Sequence, residues 1–173
     1  MNVLSRLRLI KTFVFDMDGV LTDGNLLIDE ESKWLRKMNI KDGYALQLAV
    51  RSGYRVVVIS GSEAPPVTER LFKLGIRDVF MKITDKESLL KKYLLENGLN
   101  ISETLFMGDD IPDHQCMAIV GFACCPADAA VEIKKISSYI SPIRGGYGCV
   151  RDVIEKVMKL NNNWPLNTSV PSA

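Results

Sequence analysis

The chain has 173 residues, a formal net charge of +1, 47% hydrophobic residues and 25% charged residues. That length is enough to bury a real core without disulfides or structural metal. The near-neutral balance gives no electrostatic footprint for nucleic acid or an anionic membrane surface, and no apolar run approaches a membrane span.

The amino-terminal segment carries Arg6, Arg8 and Lys11, and the apolar stretch after it is too short for a signal peptide. The expectation is a cytoplasmic protein. That stretch, residues 12–15, reads as a buried strand and ends abruptly in Asp16-Met17-Asp18-Gly19. Residues i and i+2 of a strand share a face, so Asp16 and Asp18 can point at one site. Two carboxylates so close repel each other unless a cation or a proton lies between them. The pattern suits a magnesium ion beside a carboxylate nucleophile, with a second carboxyl to move protons.

Residues 25–39 follow with no helical cap and an Asp29-Glu30-Glu31-Ser32 turn between two short apolar runs, which reads as a projecting β-hairpin carrying Trp34. A β-branched strand over 55–59 ends at Ser60-Gly61. A helix from 64 or 65 to 74 stops at Gly75, with prolines in its first turn. Residues 78–81 are a strand, 86–97 a helix ended by Gly98, and 104–107 a strand running into Gly108-Asp109-Asp110. Helix is expected over 113–120, 128–135 and 150–160, and strand over 122–125 and 139–140. The tail, 161–173, is rich in Asn, Pro and Ser and reads as poorly ordered. Such alternation predicts βαβ units, a mostly parallel sheet and a Rossmann-like α/β sandwich in one domain over 1–160, with no insertion large enough for a cap.

Cys116, Cys124, Cys125 and Cys149 form no C-x-x-C pair, and His114 completes no zinc spacing with them. They read as reduced core thiols. In an open parallel sheet, ligands bind beyond the carboxyl ends of the strands, where the polar residues of this chain collect. Asp16 and Asp18 end the first strand, Ser60-Gly61 the second, Gly108-Asp109-Asp110 the fourth, with Asp113 further on. Lys86 opens the helix after the third. Asp113 suits that site and a helix N-cap about equally.

In order along the chain, these residues resemble the motifs of the haloacid dehalogenase superfamily of phosphohydrolases: Asp16-Met17-Asp18-Gly19, the strand ending in Ser60, Lys86, and Gly108-Asp109-Asp110-Ile111-Pro112-Asp113. The match is closer to a cap-less branch that dephosphorylates 3-deoxy-D-manno-octulosonate 8-phosphate and related nine-carbon keto-acid phosphates. Asp18 to Gly24, Lys41-Asp42-Gly43-Tyr44-Ala45 and the glycine-rich Arg144 to Arg151 carry that likeness; Lys41, Ala45 and Ser62 depart from its pattern.

The resemblance implies an aspartyl-phosphate on Asp16, with Asp18 as acid and base. It implies magnesium held by the Asp16 carboxylate, the Asp18 backbone carbonyl and Asp109. Asp110 and Asp113 would stand behind these ligands or reach the metal through water. Ser60, Gly61 and Lys86 would hold phosphoryl oxygens, and Asp23, Ser62 and Arg70 would face the sugar acid. It further implies a homotetramer in which packed hairpins let a neighbour close each site, and a product destined for a surface polysaccharide such as lipopolysaccharide. Residues 144–148 are mobile by composition and are expected either to help close over substrate or to be an ordinary loop. A phosphatase for another small ester and a non-catalytic phosphoryl-accepting regulatory protein remain as alternatives.

Overall fold

The computed structural model describes residues 2–31 and 33–165. In chain order it contains α1 (Val3–Leu7), β1 (Thr12–Phe15), β2 (Leu27–Ile28), β3 (Trp34–Leu35), α2 (Ile40–Arg51), β4 (Arg55–Ile59), α3 (Pro65–Lys73), β5 (Asp78–Phe80) and α4 (Lys86–Glu96). Then follow β6 (Thr104–Met107), α5 (His114–Ile119), β7 (Phe122–Cys125), α6 (Val131–Ile136), β8 (Tyr139–Ile140) and α7 (Cys149–Leu160). Six strands form one sheet in the order β5-β4-β1-β6-β7-β8, and every pairing in it is parallel. β2 and β3 form the separate antiparallel hairpin that the sequence suggests.

The sheet is buried on both faces, which is why its central strands are continuous apolar runs rather than alternating ones. Phe13 and Phe15 point into a core with Val56, Val58, Leu105 and Met107, covered by α2, α3 and α7. Val14, Val57, Ile59 and Phe106 point the other way, into a core with α4, α5 and α6. The period of two along each strand thus yields a three-layer sandwich. The four cysteines are free and buried; adjacent Cys124 and Cys125 serve opposite cores, as small hydrophobes do.

Register places the site. Phe15 lies beside Val58 on one side and Met107 on the other. The residues just beyond these positions, Asp16, Ser60 and Gly108-Asp109, therefore emerge together at the carboxyl edge. The chain leaves β1 toward opposite sides through β4 and β6, so this is also where an open α/β sheet forms its crevice.

Several boundaries differ from the sequence reading. α1 and α2 were not among the expected elements. α2 starts where Asn39 caps it: Asn39 Oδ1 accepts from Lys41 N at 2.8 Å and Asp42 N at 3.4 Å. The helix expected at 128–135 begins only at Val131. Asp128 is instead held outside it, its carboxylate accepting from Gly145 N at 2.9 Å and pairing with Arg144.

Residues 144–148 are not a loose lid. Gly146 N donates to Val20 O at 2.9 Å, and a Cβ on Gly145 would lie 1.8 Å from Gly19 O. The segment packs flush on the loop after β1. Of the expected tail, residues 166–173 lie outside the described residues, as does Ser32 of the hairpin turn. Before them, Trp164 packs edge-on against Tyr44 at 6.1 Å and under Arg151 at 5.5 Å, so the tail is docked at that point.

Candidate active site

β1 stops at Phe15 because the chain turns into a tight loop, 17–21. Thr22 N donates back to Met17 O at 3.0 Å, and Gly19 takes φ +88°, a left-handed conformation that glycine adopts without penalty. A Cβ on Gly19 would meet Asp109 Oδ2 at 2.0 Å. Glycine is therefore required twice, for the turn and for the close approach of Asp109. Gly108 does the same for Asp113, whose Cβ would lie 2.4 Å from a Cβ at that position.

Asp16, Asp109 and Asp113 converge, each offering a carboxylate oxygen within 4.8 Å of the others. Lys86, first residue of α4 and only 7% exposed, donates to Asp16 Oδ1 and Asp113 Oδ1, both at 2.7 Å. Asp113 Oδ2 accepts from Asp109 N at 3.1 Å. Asp113 stands at the start of α5 but its side chain caps nothing there, so the choice left open by the sequence falls to the site. Asp110 is exposed and its Oδ1 accepts from Ile111 N at 2.8 Å.

Asp18 faces the same cleft from a different electrostatic setting. Its two oxygens accept from Arg36 Nε at 2.8 Å and Nη2 at 3.1 Å, and Thr22 Oγ1 donates to Oδ1 at 3.1 Å. Burial opposes ionisation of Asp18, but Arg36, Ser62 and Thr22 outweigh it and hold the carboxyl below its ordinary value. Asp16 goes the other way. Burial and then the Asp113 charge push it up to about 7, against the pull of Lys86. Asp109 rises to about 8 through burial and the Asp16 and Asp113 charges. Burial works against the Lys86 ammonium, yet Asp113 and Asp16 more than compensate and raise its pKa.

One ammonium thus pairs with two of the three carboxyl groups, and full ionisation of all three would leave two negative charges in excess in a largely buried cluster of oxygen donors. A hard divalent cation fits this donor set: it needs oxygen ligands and removes the repulsion that otherwise keeps protons on Asp16 and Asp109. Asp18's carboxylate lies outside the cluster.

A cleft of about 340 Å³ opens on these groups, and Ser60, Gly61, Ser62 and Thr84 form its other wall. Ser60 is buried and its Oγ accepts from Ser62 N at 3.1 Å, fixing the strand-end turn. Of the residues expected to face a sugar acid, Ser62 lines the cleft. Asp23 does not; its Oδ1 accepts from Asn25 N at 3.0 Å. Arg70 lines a separate groove of about 510 Å³ between the hairpin and α3, whose wall it shares with Arg36.

The sequence reading missed Arg36 and Thr22. The available signals were an arginine at the foot of an otherwise apolar hairpin strand and a hydroxyl four residues after Asp18.

A central parallel strand ending in paired aspartates, flanked by a strand-end serine, a helix-start lysine and a Gly-Asp-Asp turn, defines the phosphohydrolase fold of the haloacid dehalogenase class, here with a hairpin in place of a cap. No family model matches the chain. Among curated proteins it is 28% identical over 154 residues to 3-deoxy-D-manno-octulosonate 8-phosphate phosphatase KdsC of Haemophilus influenzae, covering 89% of this chain and 86% of that protein. Among solved structures it matches the 3-deoxy-D-manno-octulosonate 8-phosphate phosphatase of Moraxella catarrhalis, crystallised with magnesium, phosphate and KDO. The TM-score is 0.89 at 30% identity over 92% of each chain. A probable YrbI family phosphatase from Pseudomonas syringae matches at 33% identity and TM-score 0.89, over 92% of this chain and 91% of that one. The chain belongs to the KdsC family of haloacid dehalogenase superfamily phosphatases.

Proposed function

We propose that the chain is a magnesium-dependent phosphomonoester hydrolase that releases phosphate from 3-deoxy-D-manno-octulosonate 8-phosphate by way of an aspartyl-phosphate on Asp16. The observation that carries this reading is the division of acidic groups. Asp16, Asp109 and Asp113 gather around Lys86, while Asp18 is held apart at the mouth of the same cleft. The names of the relatives supply the substrate class.

The residues act in two halves. Asp16 attacks phosphorus as the bond to the sugar oxygen breaks, and Asp18 gives that oxygen its proton. Asp18 then takes a proton from water, which attacks the phosphoryl group and frees Asp16. Lys86, the Ser60 hydroxyl and the Gly61 amide hold phosphoryl oxygens while charge shifts. Asp16, Asp109 and the Asp18 carbonyl would hold magnesium, with Asp113 and Asp110 behind them, and the ion would supply neutralisation of phosphoryl charge and alignment of the attack. Ser62 faces the sugar acid directly; Asp23 and Arg70 take part only through neighbouring segments. An aspartyl-phosphate used as a long-lived signal would be poorly served by a base held beside it, which disfavours a regulatory phosphoryl acceptor.

The same reading takes residues 1–160 as one catalytic domain acting in the cytoplasm as a homotetramer whose neighbours complete each site. Four unpaired buried thiols support a reducing compartment. Among the described residues no helix is long and apolar enough to cross a membrane. Leu27, Ile28 and Trp34, each at least 60% exposed on the hairpin, support association.

The testing experiment is phosphate release across a panel of sugar phosphates and eight- and nine-carbon keto-acid phosphates, with and without chelator. The reading expects a preference for the eight-carbon keto acid, silence in chelator and recovery with magnesium. A better nine-carbon substrate would move the assignment to that neighbour. Equal efficiency on glucose 6-phosphate, or full activity in excess chelator, would refute it.

A further inference from the structure

The hairpin does more in this structure than offer an apolar surface. Arg36 follows directly on β3, and its side chain is 5% exposed although the strand before it is open to solvent. A long cationic side chain is buried only where a partner compensates it. Here the partner is the Asp18 carboxylate, gripped at both oxygens by Nε and Nη2 at 2.8 and 3.1 Å. The planar guanidinium matches a carboxylate in this bidentate way, so the pair fixes the plane of the carboxylate as well as its distance. Thr22 Oγ1 fixes it from a third direction. Asp18 itself has a non-helical backbone, φ −78° and ψ +122°, inside the tight loop 17–21. Its side chain nonetheless remains 29% exposed toward the cleft.

We propose that Arg36 is a positioning residue that orients the Asp18 carboxylate for proton transfer, so that the hairpin is part of the acid–base machinery. The inference rests on the acid–base role assigned to Asp18 above. Proton transfer requires heavy atoms within about 2.6–3.2 Å, and a misplacement of about 1 Å costs on the order of 10²-fold. Arg36 transfers no proton itself; its effect runs through the Asp18 carboxylate it holds.

The test compares wild type with Arg36→Met, Arg36→Lys and Asp18→Asn on two substrates. One is 3-deoxy-D-manno-octulosonate 8-phosphate, whose alkoxide needs a proton to leave. The other is 4-nitrophenyl phosphate, whose phenolate leaves without one. With the keto-acid ester, Arg36→Met should lower kcat by roughly 10–100-fold and change KM less than about threefold. With the aryl ester, formation of the aspartyl-phosphate should stay fast and its hydrolysis slow. Rapid mixing should then show a burst of about one nitrophenolate per site before a slow steady state. Arg36→Lys keeps the charge but not the fork, and should recover only part of the loss. Where Arg36→Met melts far below wild type, Arg36→Lys carries the same burst measurement.

Unchanged kcat, or an equal loss on both substrates with no burst, would overturn the proposal, the second outcome marking Arg36 as merely structural. Full recovery by lysine would overturn the orientation argument. Asp18→Asn should burst more sharply than either; normal turnover by that variant would remove the acid–base reading itself, independently of Arg36.

Discussion

Gly145→Ala is a demanding test of how the active-site loop is held. Gly145 does not have a positive φ, so alanine there suffers no backbone strain and any cost is steric. The added Cβ would lie 1.8 Å from Gly19 O and 2.6 Å from Gly19 C. Both are backbone atoms, and neither can rotate away. The two segments must part by roughly 1.5 Å to regain ordinary contact. That movement strains or breaks two hydrogen bonds, Gly145 N to Asp128 Oδ1 and Gly146 N to Val20 O, both at 2.9 Å. Overpacking costs about 1–3 kcal/mol and each bond about 0.5–1.5 kcal/mol, so the expected loss is about 2–6 kcal/mol, or roughly 4–24 °C in Tm at this size. Because Gly19 adjoins Asp18, kcat should fall about 10-fold or more while KM moves little. Thermal melts and steady-state kinetics read both effects. Gly98→Ala is the control: Gly98 has φ +62° with nothing within 4 Å, so the cost should be only the left-handed strain of about 1–2 kcal/mol, with kcat unchanged. A Gly145→Ala protein that melts within about 2 °C of wild type and turns over normally would show that residues 144–148 swing freely.

Asp16→Asn should abolish turnover, by at least about 10³-fold, while the melt stays cooperative, because an amide is a poor nucleophile; wild-type-like hydrolysis would exclude the covalent route. The metal-free protein should lose stability as pH rises. Asp16 and Asp109 hold protons in the folded state up to about 7 and about 8, against 3.8 for the free group, so the folded state binds more protons across that window. Tm in chelator should fall from about pH 4 to 8, and magnesium should restore most of the difference at the alkaline end; a flat profile in chelator would contradict the charge excess. Trp34→Asp should weaken assembly and lower kcat/KM together, read by light scattering at assay concentration, and a fully active monomer would refute the shared site.

The sheet was legible because its strands are short, continuous apolar runs bounded by Gly, Ser and Asp. Burial on both faces leaves that signature. The candidate site was legible for a related reason: register brings Asp16, Ser60 and Gly108-Asp109 to one edge. α2 was overlooked although its cap, Asn39, and its basic last turn at Arg51 are ordinary helix signals; residues 41–45 had been read as a motif rather than as a first turn. The glycine-rich 144–148 segment was legible only as a choice between a mobile closure and an ordinary loop, for a physical reason. Composition reports the freedom of glycine in an open chain, whereas here the absent side chains allow two backbones to touch. Trp164 was equally opaque, since its partners Tyr44 and Arg151 are remote in sequence.

Arg36 belongs with these long-range contacts, and it explains how two aspartates two residues apart come to differ. Identical side chains on one loop would titrate alike if local sequence decided the matter. The fold instead places Asp16 among carboxylates, where burial and repulsion raise its proton affinity, and Asp18 against a guanidinium, where it falls. A divalent cation held by Asp16 and Asp109 would oppose the first effect by favouring their ionised forms. A phosphate dianion entering the cleft opposes the second, raising the proton affinity of Asp18 when a leaving oxygen needs a proton. On the proposed mechanism, Arg36 would then favour the carboxylate again, the form needed to activate water. The contrast between the two aspartates thus follows from burial and the Asp113 charge beside Asp16, and from the Arg36 guanidinium beside Asp18.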